Sequence, residues 1–169
     1  MRQGQTRERE NNFFVLISAS FAILFILFLA VLSFERNSTW QDEIKLWSDV
    51  VAKNPVDARG YYNLGSNYHD NKMLEPAIAC YTKAIAINNI HIKAIMNRGN
   101  AYDETGRTNE AIEDYRKVIS LNPSYALAYY NLGVLEQRMG MIENALMDFH
   151  KACALKSVEG CEQLKQLER

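Results

Sequence analysis

The sequence predicts an all-α chain: one N-terminal transmembrane helix, then an α-solenoid of about three and a half helix-turn-helix repeats, then a C-terminal capping helix. The first observation is an uncharged run of 22 residues at 13–34, FFVLISASFAILFILFLAVLSF. The second is the word YYNLG, which stands at 61–65 and returns at 129–133. Midway between the copies, at 95–99, IMNRG keeps the Asn and the Gly, which indicates a repeat of 34 residues.

The apolar run has the length of a bilayer-spanning helix, since 22 residues at about 1.5 Å each span roughly 33 Å. Residues 1–12 precede it as a short tail that contains Arg2, Arg7 and Arg9. The alternative is a cleaved signal peptide, whose apolar core is normally about 7–15 residues long and ends at a small-x-small cleavage site. No convincing site of this kind follows the run, which favours an uncleaved anchor.

Positive charges near the two ends of the run predict its orientation. The three arginines lie before it, and Arg36 and Lys45 follow at a similar distance. This slight excess on the N-terminal side favours an N-terminus inside the cell. We therefore expect a single-pass protein of a bacterial cytoplasmic (inner) membrane, with the repeats outside, in the periplasm.

Aligned at the 34-residue period, the same kinds of residue recur at the same places. The alignment joins Gly65, Gly99 and Gly133, then Ala77, Ala111 and Ala145, then Tyr81, Tyr115 and Phe149. The pattern resembles the tetratricopeptide repeat (TPR), a helix-turn-helix unit. The resemblance implies three full repeats, at 58–91, 92–125 and 126–157.

The repeated residue types have a packing reason. The small Gly and Ala allow the helices of one repeat to approach closely, and the aromatic residue fills the space that remains. Pro123 cannot continue a helix and ends the second repeat. The sequence departs from the TPR pattern where Arg98 replaces the usual Leu and Glu136 the usual Tyr.

The segments that flank the full repeats extend the same architecture. Residues 38–55 predict the second helix of a degenerate half-repeat, because Trp47 lies 34 residues before Tyr81, and Ser38 with Gln41 resembles a capping box. This junction also resembles the one between the last membrane helix and the TPR repeats of polytopic membrane proteins. The resemblance implies that the repeats face away from the cytosol, and it implies no catalytic activity. Residues 158–169 predict a capping helix whose apolar side is Val158, Cys161 and Leu164.

The sequence contains no motif that indicates catalysis. His69, His91 and His150 have no partner at metal-ligand spacing, and no phosphate loop or nucleophile elbow is present. We therefore predict no enzyme activity, no cofactor and no metal. After Glu10 the chain has 16 basic and 18 acidic residues, a balance that argues against nucleic acid as a partner.

Two of the three cysteines lie close together near the C-terminus. The spacing of Cys153 and Cys161 resembles that of disulfide-bridged helix pairs in Sel1-like repeat proteins. The resemblance implies a disulfide, which would require an oxidising compartment. The alternative is that both are small buried residues, as we expect for Cys80.

In TPR proteins the first helices of successive repeats line a concave groove that receives peptides, so the resemblance implies a partner-binding surface. Candidate groove residues are Arg59, Tyr62, Asn63, Ser66, Lys93, Met96, Asn97, Asn100, Tyr130, Asn131 and Arg138. Asn63, Asn97 and Asn131 occupy one position in all three repeats, similar to the Asn ladder of O-linked N-acetylglucosamine transferase, and carboxamides can pair with a peptide backbone. The alternative is a local structural role.

The carboxylate clamp of chaperone-binding TPR proteins does not fit. Tyr62, Ser66, Leu127 and Asn131 stand where that clamp has basic residues or Asn, and only Asn97 matches it.

The predicted partners are other proteins, together with the lipid bilayer through residues 13–34. One hypothesis is an accessory or assembly subunit of a membrane complex, whose membrane helix packs through Ser18 and Ala22. The alternative is a periplasmic peptide-binding adaptor that uses the Asn ladder. A regulatory piece of a glycosyltransferase system is a third reading, which requires a partner to supply the catalytic part.

Overall fold

The computed structural model describes residues 23–29 and 43–167 and divides the chain into two units, Met1–Asp42 and Glu43–Arg169. In the first unit, residues 23–29 are helical and their apolar side chains are exposed. The rest of the predicted 13–34 helix lies outside the described residues, as do Ser18, Ala22 and the Ser38–Gln41 box. Within the described ranges, no helix is both long and apolar enough to cross a membrane.

The second unit is a chain of helices, and its described part contains no strand. Helix α1 covers residues 43–53. The others are α2 (Ala58–Asp70), α3 (Leu74–Ile87), α4 (Ile92–Glu104), α5 (Thr108–Leu121), α6 (Ala126–Arg138), α7 (Ile142–Ala154) and α8 (Val158–Leu167). Each helix packs on the next from α2 to α8, and α2 also contacts α4. The predicted all-α solenoid is therefore correct.

The helix pairs follow the period of the sequence. The first helices of the three pairs begin at Ala58, Ile92 and Ala126, where the predicted repeats begin. Helix α1 takes the place of the predicted half-repeat, and a Cβ added at Gly60 of α2 would lie 3.1 Å from the Val51 side chain of α1. In the described part of the second unit, one helix thus precedes the three pairs.

The core consists of the repeated small and aromatic residues. Ala77, Ala111 and Ala145 have no exposed surface, and the aromatic residues Tyr81, Tyr115 and Phe149 are at most 1% exposed. An ideal Cβ at Gly65 would lie 2.8 Å from the Tyr81 ring, and one at Gly133 would lie 2.9 Å from the Phe149 ring. The glycine therefore accommodates the aromatic ring of its own repeat, which a larger residue would displace.

The turns within the helix pairs need a left-handed residue. Gly106 and Gly140 adopt φ of 76°, a conformation that glycine reaches without steric penalty. In the first pair Lys72 stands at the same place with φ of 60°. Between pairs, Asn88 and Asn122 each accept a hydrogen bond through Oδ1 from the backbone N–H two residues later, an Asx turn. The first connection has Asn89 where the second has Pro123, and both form the same turn.

Arg98, which replaces the Leu usual in this repeat, forms an ion pair with Asp114. Its guanidinium donates two hydrogen bonds to Asp114, at 2.8 and 2.7 Å, and a third to Thr82 at 3.1 Å. Both side chains are largely buried, at 17% and 5% exposed. The bidentate bonds raise the pKa of Arg98. Because both charges are satisfied, α4 and α5 pack here without the usual Leu.

The last helix covers the end of the third pair with a face that includes the predicted Leu164 and Cys161, and Cys161 is joined to Cys153 of α7. Val158 is 66% exposed, whereas Gly160 and Leu164 are buried and Leu167 packs on the core. A Cβ at Gly160 would lie 2.7 Å from the Cβ of Ala152, so glycine is what allows α8 to approach α7. The cap therefore rests on Gly160, Leu164 and Leu167, and the prediction for Val158 was wrong.

Candidate functional site

A groove is formed mainly by repeats two and three, with one residue from repeat one. Its volume is about 350 Å³. Helices α2, α4, α5 and α6 supply its walls: His69, Asn100, Asp103, Glu104, Tyr115, Leu127, Tyr130, Asn131 and Val134. Leu127 is 45% exposed, so the groove offers accessible apolar surface next to amide, hydroxyl and carboxylate groups.

The polar floor of the groove is centred on Asn100. Its Oδ1 accepts a hydrogen bond of 2.9 Å from the Tyr115 hydroxyl and one of 3.0 Å from Nδ2 of Asn131. The Asn131 bond joins α6 of the third repeat to α4 of the second. The floor is therefore pre-organised by bonds within the protein before any partner arrives.

A similar network lies one repeat earlier. The Tyr81 hydroxyl donates to Oγ of Ser66 at 3.4 Å and accepts from Nδ2 of Asn97 at 3.5 Å. Asn97 thus reaches back to the preceding repeat, as Asn131 does. In this part of the predicted ladder, Asn side chains bind neighbouring repeats together, and Oδ1 of Asn131 is the ladder oxygen that can accept from a peptide backbone in the groove.

Ion pairs across repeats form one edge of the groove. Glu104 of the second repeat binds His69 of the first at 2.8 Å and Lys72 at 3.0 Å. Arg138 of the third repeat binds Asp103 of the second. In both cases adjacent repeats are joined, so the charges on this edge are largely neutralised. This edge therefore gives the groove little selectivity for the charge of a bound segment.

Burial and charge change the acidity of two groove groups. Burial raises the pKa of Tyr115, and the negative charge of Asp103 adds to the effect, so its hydroxyl stays a hydrogen-bond donor. Burial acts to raise the pKa of Glu104, but hydrogen bonds and charges from His69 and Lys72 outweigh it, and the net effect lowers that pKa. Glu104 therefore stays ionised at neutral pH.

The structure brings together only some of the candidate residues. Asn100, Tyr130 and Asn131 line the groove. Arg59 lies instead at a separate cavity of about 370 Å³ with His91. The remainder do not line the groove: Tyr62, Asn63, Ser66, Lys93, Asn97 and Arg138.

Two residues differ from their predicted roles. Met96 is 2% exposed and belongs to the core, so its prediction as a groove residue was wrong. Tyr115 was assigned to packing alone, yet its hydroxyl reaches the groove floor. The sequence does contain a sign of this role, because repeats one and two carry Tyr at this position, with a hydroxyl, and repeat three carries Phe149, without one.

Cys153 of α7 and Cys161 of α8 form a disulfide with their Cα atoms 4.6 Å apart. Cys80 is buried and unpaired, and burial raises the pKa of its thiol. Among residues 23–29 and 43–167, no three His, Cys, Asp or Glu side chains gather in a way that could hold a metal ion.

Comparisons with family models match three segments. Models described as tetratricopeptide repeat match residues 58–89 and 126–158, and a model described as TPR repeat matches residues 99–140. Together they cover the first and third helix pairs and all of the second except the start of α4. Among curated proteins, no sequence matches the chain.

Solved structures share the architecture. A crystal structure of MamA is 31% identical, with a TM-score of 0.68, over 69% of this chain and 68% of that one. A second MamA structure is 31% identical, with a TM-score of 0.66, over 69% of this chain and 64% of that one. The first TPR of Spaghetti (RPAP3), bound to the HSP90 peptide SRMEEVD, is 25% identical, with a TM-score of 0.63, over 66% of this chain and 90% of that one.

Proposed function

The chain belongs to the tetratricopeptide repeat family, and from this membership we propose that it is a non-catalytic scaffold that holds a segment of a partner protein in its groove. The observation that carries the proposal is the groove itself, with Leu127, Tyr130 and Val134 beside the amides of Asn100 and Asn131. An extended segment can place apolar side chains on the first three and backbone groups near the amides.

The internal hydrogen bonds of the groove support recognition of backbone rather than of charge. Oδ1 of Asn100 already accepts from Tyr115 and from Nδ2 of Asn131, which leaves Oδ1 of Asn131 as an acceptor and Nδ2 of Asn100 as a donor for a peptide backbone. The acidic side chains of the edge are paired with His69, Lys72 and Arg138. A partner segment that is extended, uncharged and partly apolar therefore fits this surface best.

The peptide seen on the RPAP3 domain is not a model for this partner. That peptide, SRMEEVD, ends in acidic residues and a carboxylate, whose binding favours cationic side chains. Here Leu127 and Asn131 line the groove where a chaperone-type clamp has basic residues, and Lys93 does not line it. We therefore expect a different class of segment.

We also propose that residues 13–34 anchor the protein in a bacterial inner membrane, with the repeats in the periplasm. The uncharged run and the Arg residues before it support this proposal. The Cys153–Cys161 disulfide is compatible with it, because disulfides persist in oxidising compartments. Alkaline carbonate extraction and protease protection of spheroplasts test the anchor and the orientation.

Within this scaffold role, we favour an accessory or assembly subunit of a membrane complex over an adaptor that binds varied clients. Three helix pairs between single end helices are a short solenoid, and a permanent partner would add the neighbour contacts on which repeat stability depends. The adaptor alternative is favoured by the accessible apolar surface of Leu127. A regulatory role in a glycosyltransferase system would need a catalytic partner.

Mild-detergent extraction of the full chain, followed by mass spectrometry of bound proteins, distinguishes the two roles. A subunit should retain one stoichiometric set of membrane proteins and lose it in the Ser18→Leu/Ala22→Leu variant. An adaptor should retain substoichiometric clients and lose them in the Asn63→Ala/Asn97→Ala/Asn131→Ala variant. Retention of no protein by the wild-type chain under mild conditions would contradict the scaffold role.

A further inference from the structure

Glu136 is a buried carboxylate with an unsatisfied oxygen. It replaces the Tyr that the first two repeats carry at this position, Tyr68 and Tyr102, and it is 2% exposed. Its Oε1 lies 3.4 Å from a guanidinium nitrogen of Arg116, and its Oε2 has no hydrogen-bond partner among the described residues. Buried ionised groups normally have partners, so this oxygen lacks one that a ligand could supply.

The carboxylate faces a cavity of its own. The cavity has a volume of about 220 Å³ and is lined by Arg116, Leu132, Glu136, Asn144, Met147 and Asp148. We call it the α6–α7 cavity. It shares no residue with the groove, and Glu136 lies two residues after Val134, roughly 200° further around α6. The two binding surfaces are therefore on opposite sides of this helix.

The cavity is lined by two carboxyl groups and one guanidinium group. Glu136 comes from α6, Asp148 from α7 and the single cation Arg116 from α5. Burial, the charge of Glu136 and a side-chain hydrogen bond between the two carboxyl groups raise the pKa of Asp148 to about 7, so the Asp148 proton is the internal partner that a ligand would replace. Near neutral pH a proton on Asp148 thus removes one of the two negative charges. A second cation in the cavity would replace that proton and leave two carboxylates facing two cations.

The walls indicate which kind of cation fits. Met147, which is 67% exposed, and the largely buried Leu132 both line the cavity, so its walls include apolar surface beside the carboxylates. Lysine and arginine side chains bury their methylene stems on such surface while the charged end reaches an acidic group. A divalent metal ion prefers about six oxygen ligands, and the described residues hold no group of three metal-ligating side chains.

We propose that the α6–α7 cavity is a second interaction site, which binds a lysine or arginine side chain of a protein partner. Its stem contacts Met147 and Leu132, and its charged end binds Glu136 and Asp148. The scaffold then has two faces, with an extended segment in the groove and a basic side chain on the opposite side of α6. This site does not depend on the groove being occupied.

The probes are n-butylammonium and n-butylguanidinium chloride, with n-butanol as the uncharged control. They are titrated into the full chain in detergent, with methionine methyl groups labelled with carbon-13. At pH 8 we expect a saturable shift of the Met147 methyl resonance with at least one of the two cations and none with n-butanol. At pH 6 the apparent affinity should be roughly tenfold lower, because a group of pKa about 7 is then mostly protonated.

Asp148→Asn tests the role of the carboxylate without changing the buried Glu136. It should weaken binding of the cation at least tenfold at pH 8 and remove the pH dependence, while the circular dichroism spectrum stays unchanged. Asp49→Asn, on exposed α1, is the matched control and should bind as the wild type does. Glu136→Gln should also weaken binding.

Three results would overturn the proposal. The first is a linear, unsaturated shift with both cations. The second is equal affinity in wild type and Asp148→Asn. The third is a saturable shift with magnesium chloride but with neither organic cation, which would make the cavity a metal site.

Discussion

The ring of Tyr115 occupies the space that a side chain on Gly99 would need. An ideal Cβ at Gly99 would lie 2.8 Å from Cε1 of that ring, closer than real Cβ contacts allow. The same ring carries the hydroxyl that donates to Asn100 in the groove. One contact therefore sets both the spacing of α4 and α5 and the position of a groove hydrogen bond.

Gly99→Ala should destabilise the protein, although alanine is the better helix former. Overpacking of a filled core costs about 1–3 kcal/mol, which exceeds the gain in helix propensity of about 0.5–1 kcal/mol. Urea unfolding of the second unit, followed by circular dichroism, measures the change. Gly99→Ala/Tyr115→Leu is the control, because a smaller side chain at 115 should make the alanine neutral or stabilising. An equal loss in both backgrounds would contradict the contact.

Arg98→Leu restores the residue usual for the family but should destabilise this chain. Asp114, which is 5% exposed, would lose the guanidinium that binds both of its oxygens. Removal of one partner of a buried pair costs about 3–5 kcal/mol. Thermal and urea unfolding measure the loss, and Arg98→Leu/Asp114→Ala should recover most of it.

The control is Asp49→Asn, in the exposed Asp49–Lys53 pair, which should change stability by less than about 1 kcal/mol. A mild effect of Arg98→Leu alone would mean that Asp114 finds another partner.

Asp148 should contribute a loss of stability as pH rises from about 4 to about 7. Its folded pKa is about 7, above the ordinary value of about 3.9 for an unfolded chain. Between these values the folded state holds a proton that the unfolded state has released, so a higher pH favours unfolding. Asp148→Asn cannot ionise and should flatten this part of the profile. Urea midpoints at intervals from pH 4.5 to 8 compare the two proteins, and superimposable profiles would contradict the assignment.

The Cys153–Cys161 disulfide should stabilise the cap. It closes a short loop between α7 and α8, and closure of a loop of this length is worth about 2–3 kcal/mol. Cys153→Ser/Cys161→Ser should lower the melting temperature, and dithiothreitol should lower that of the wild type but not of the double variant. Peptide mapping of protein extracted under non-reducing, thiol-blocking conditions checks the bond in the native chain. Detection of two free thiols would show that the disulfide is absent and would withdraw its support for a periplasmic location.

Much of the fold could be predicted because its contacts recur. Gly99 and Tyr115 meet as their counterparts do in the other repeats, so one periodic pattern determines three helix pairs. Side-chain direction was less predictable. Tyr62 and Tyr130 share a position with Met96, yet only the methionine is buried, since its flexible apolar side chain can turn into the core and a phenol needs a polar partner.

The groove was predicted only in outline for a related reason. The repeat pattern indicates which helix faces the groove, but it does not specify bonds between repeats such as Asn131 to Asn100. Those bonds depend on the rotation of one repeat against the next. The same holds for Glu136, whose departure from the pattern was visible, whereas its cavity with Asp148 is formed only when α6 and α7 pack.

The most direct test of the scaffold role places a photo-cross-linking amino acid at Leu127, an exposed residue of the groove wall, in the full chain expressed in its native cells. Met139 is the matched control, because it is similarly exposed and does not line the groove. We predict that position 127 cross-links to one short contiguous segment of a partner protein, and that Asn131→Ala reduces the yield. The same products from both positions, or none from position 127, would contradict a groove that binds a partner segment.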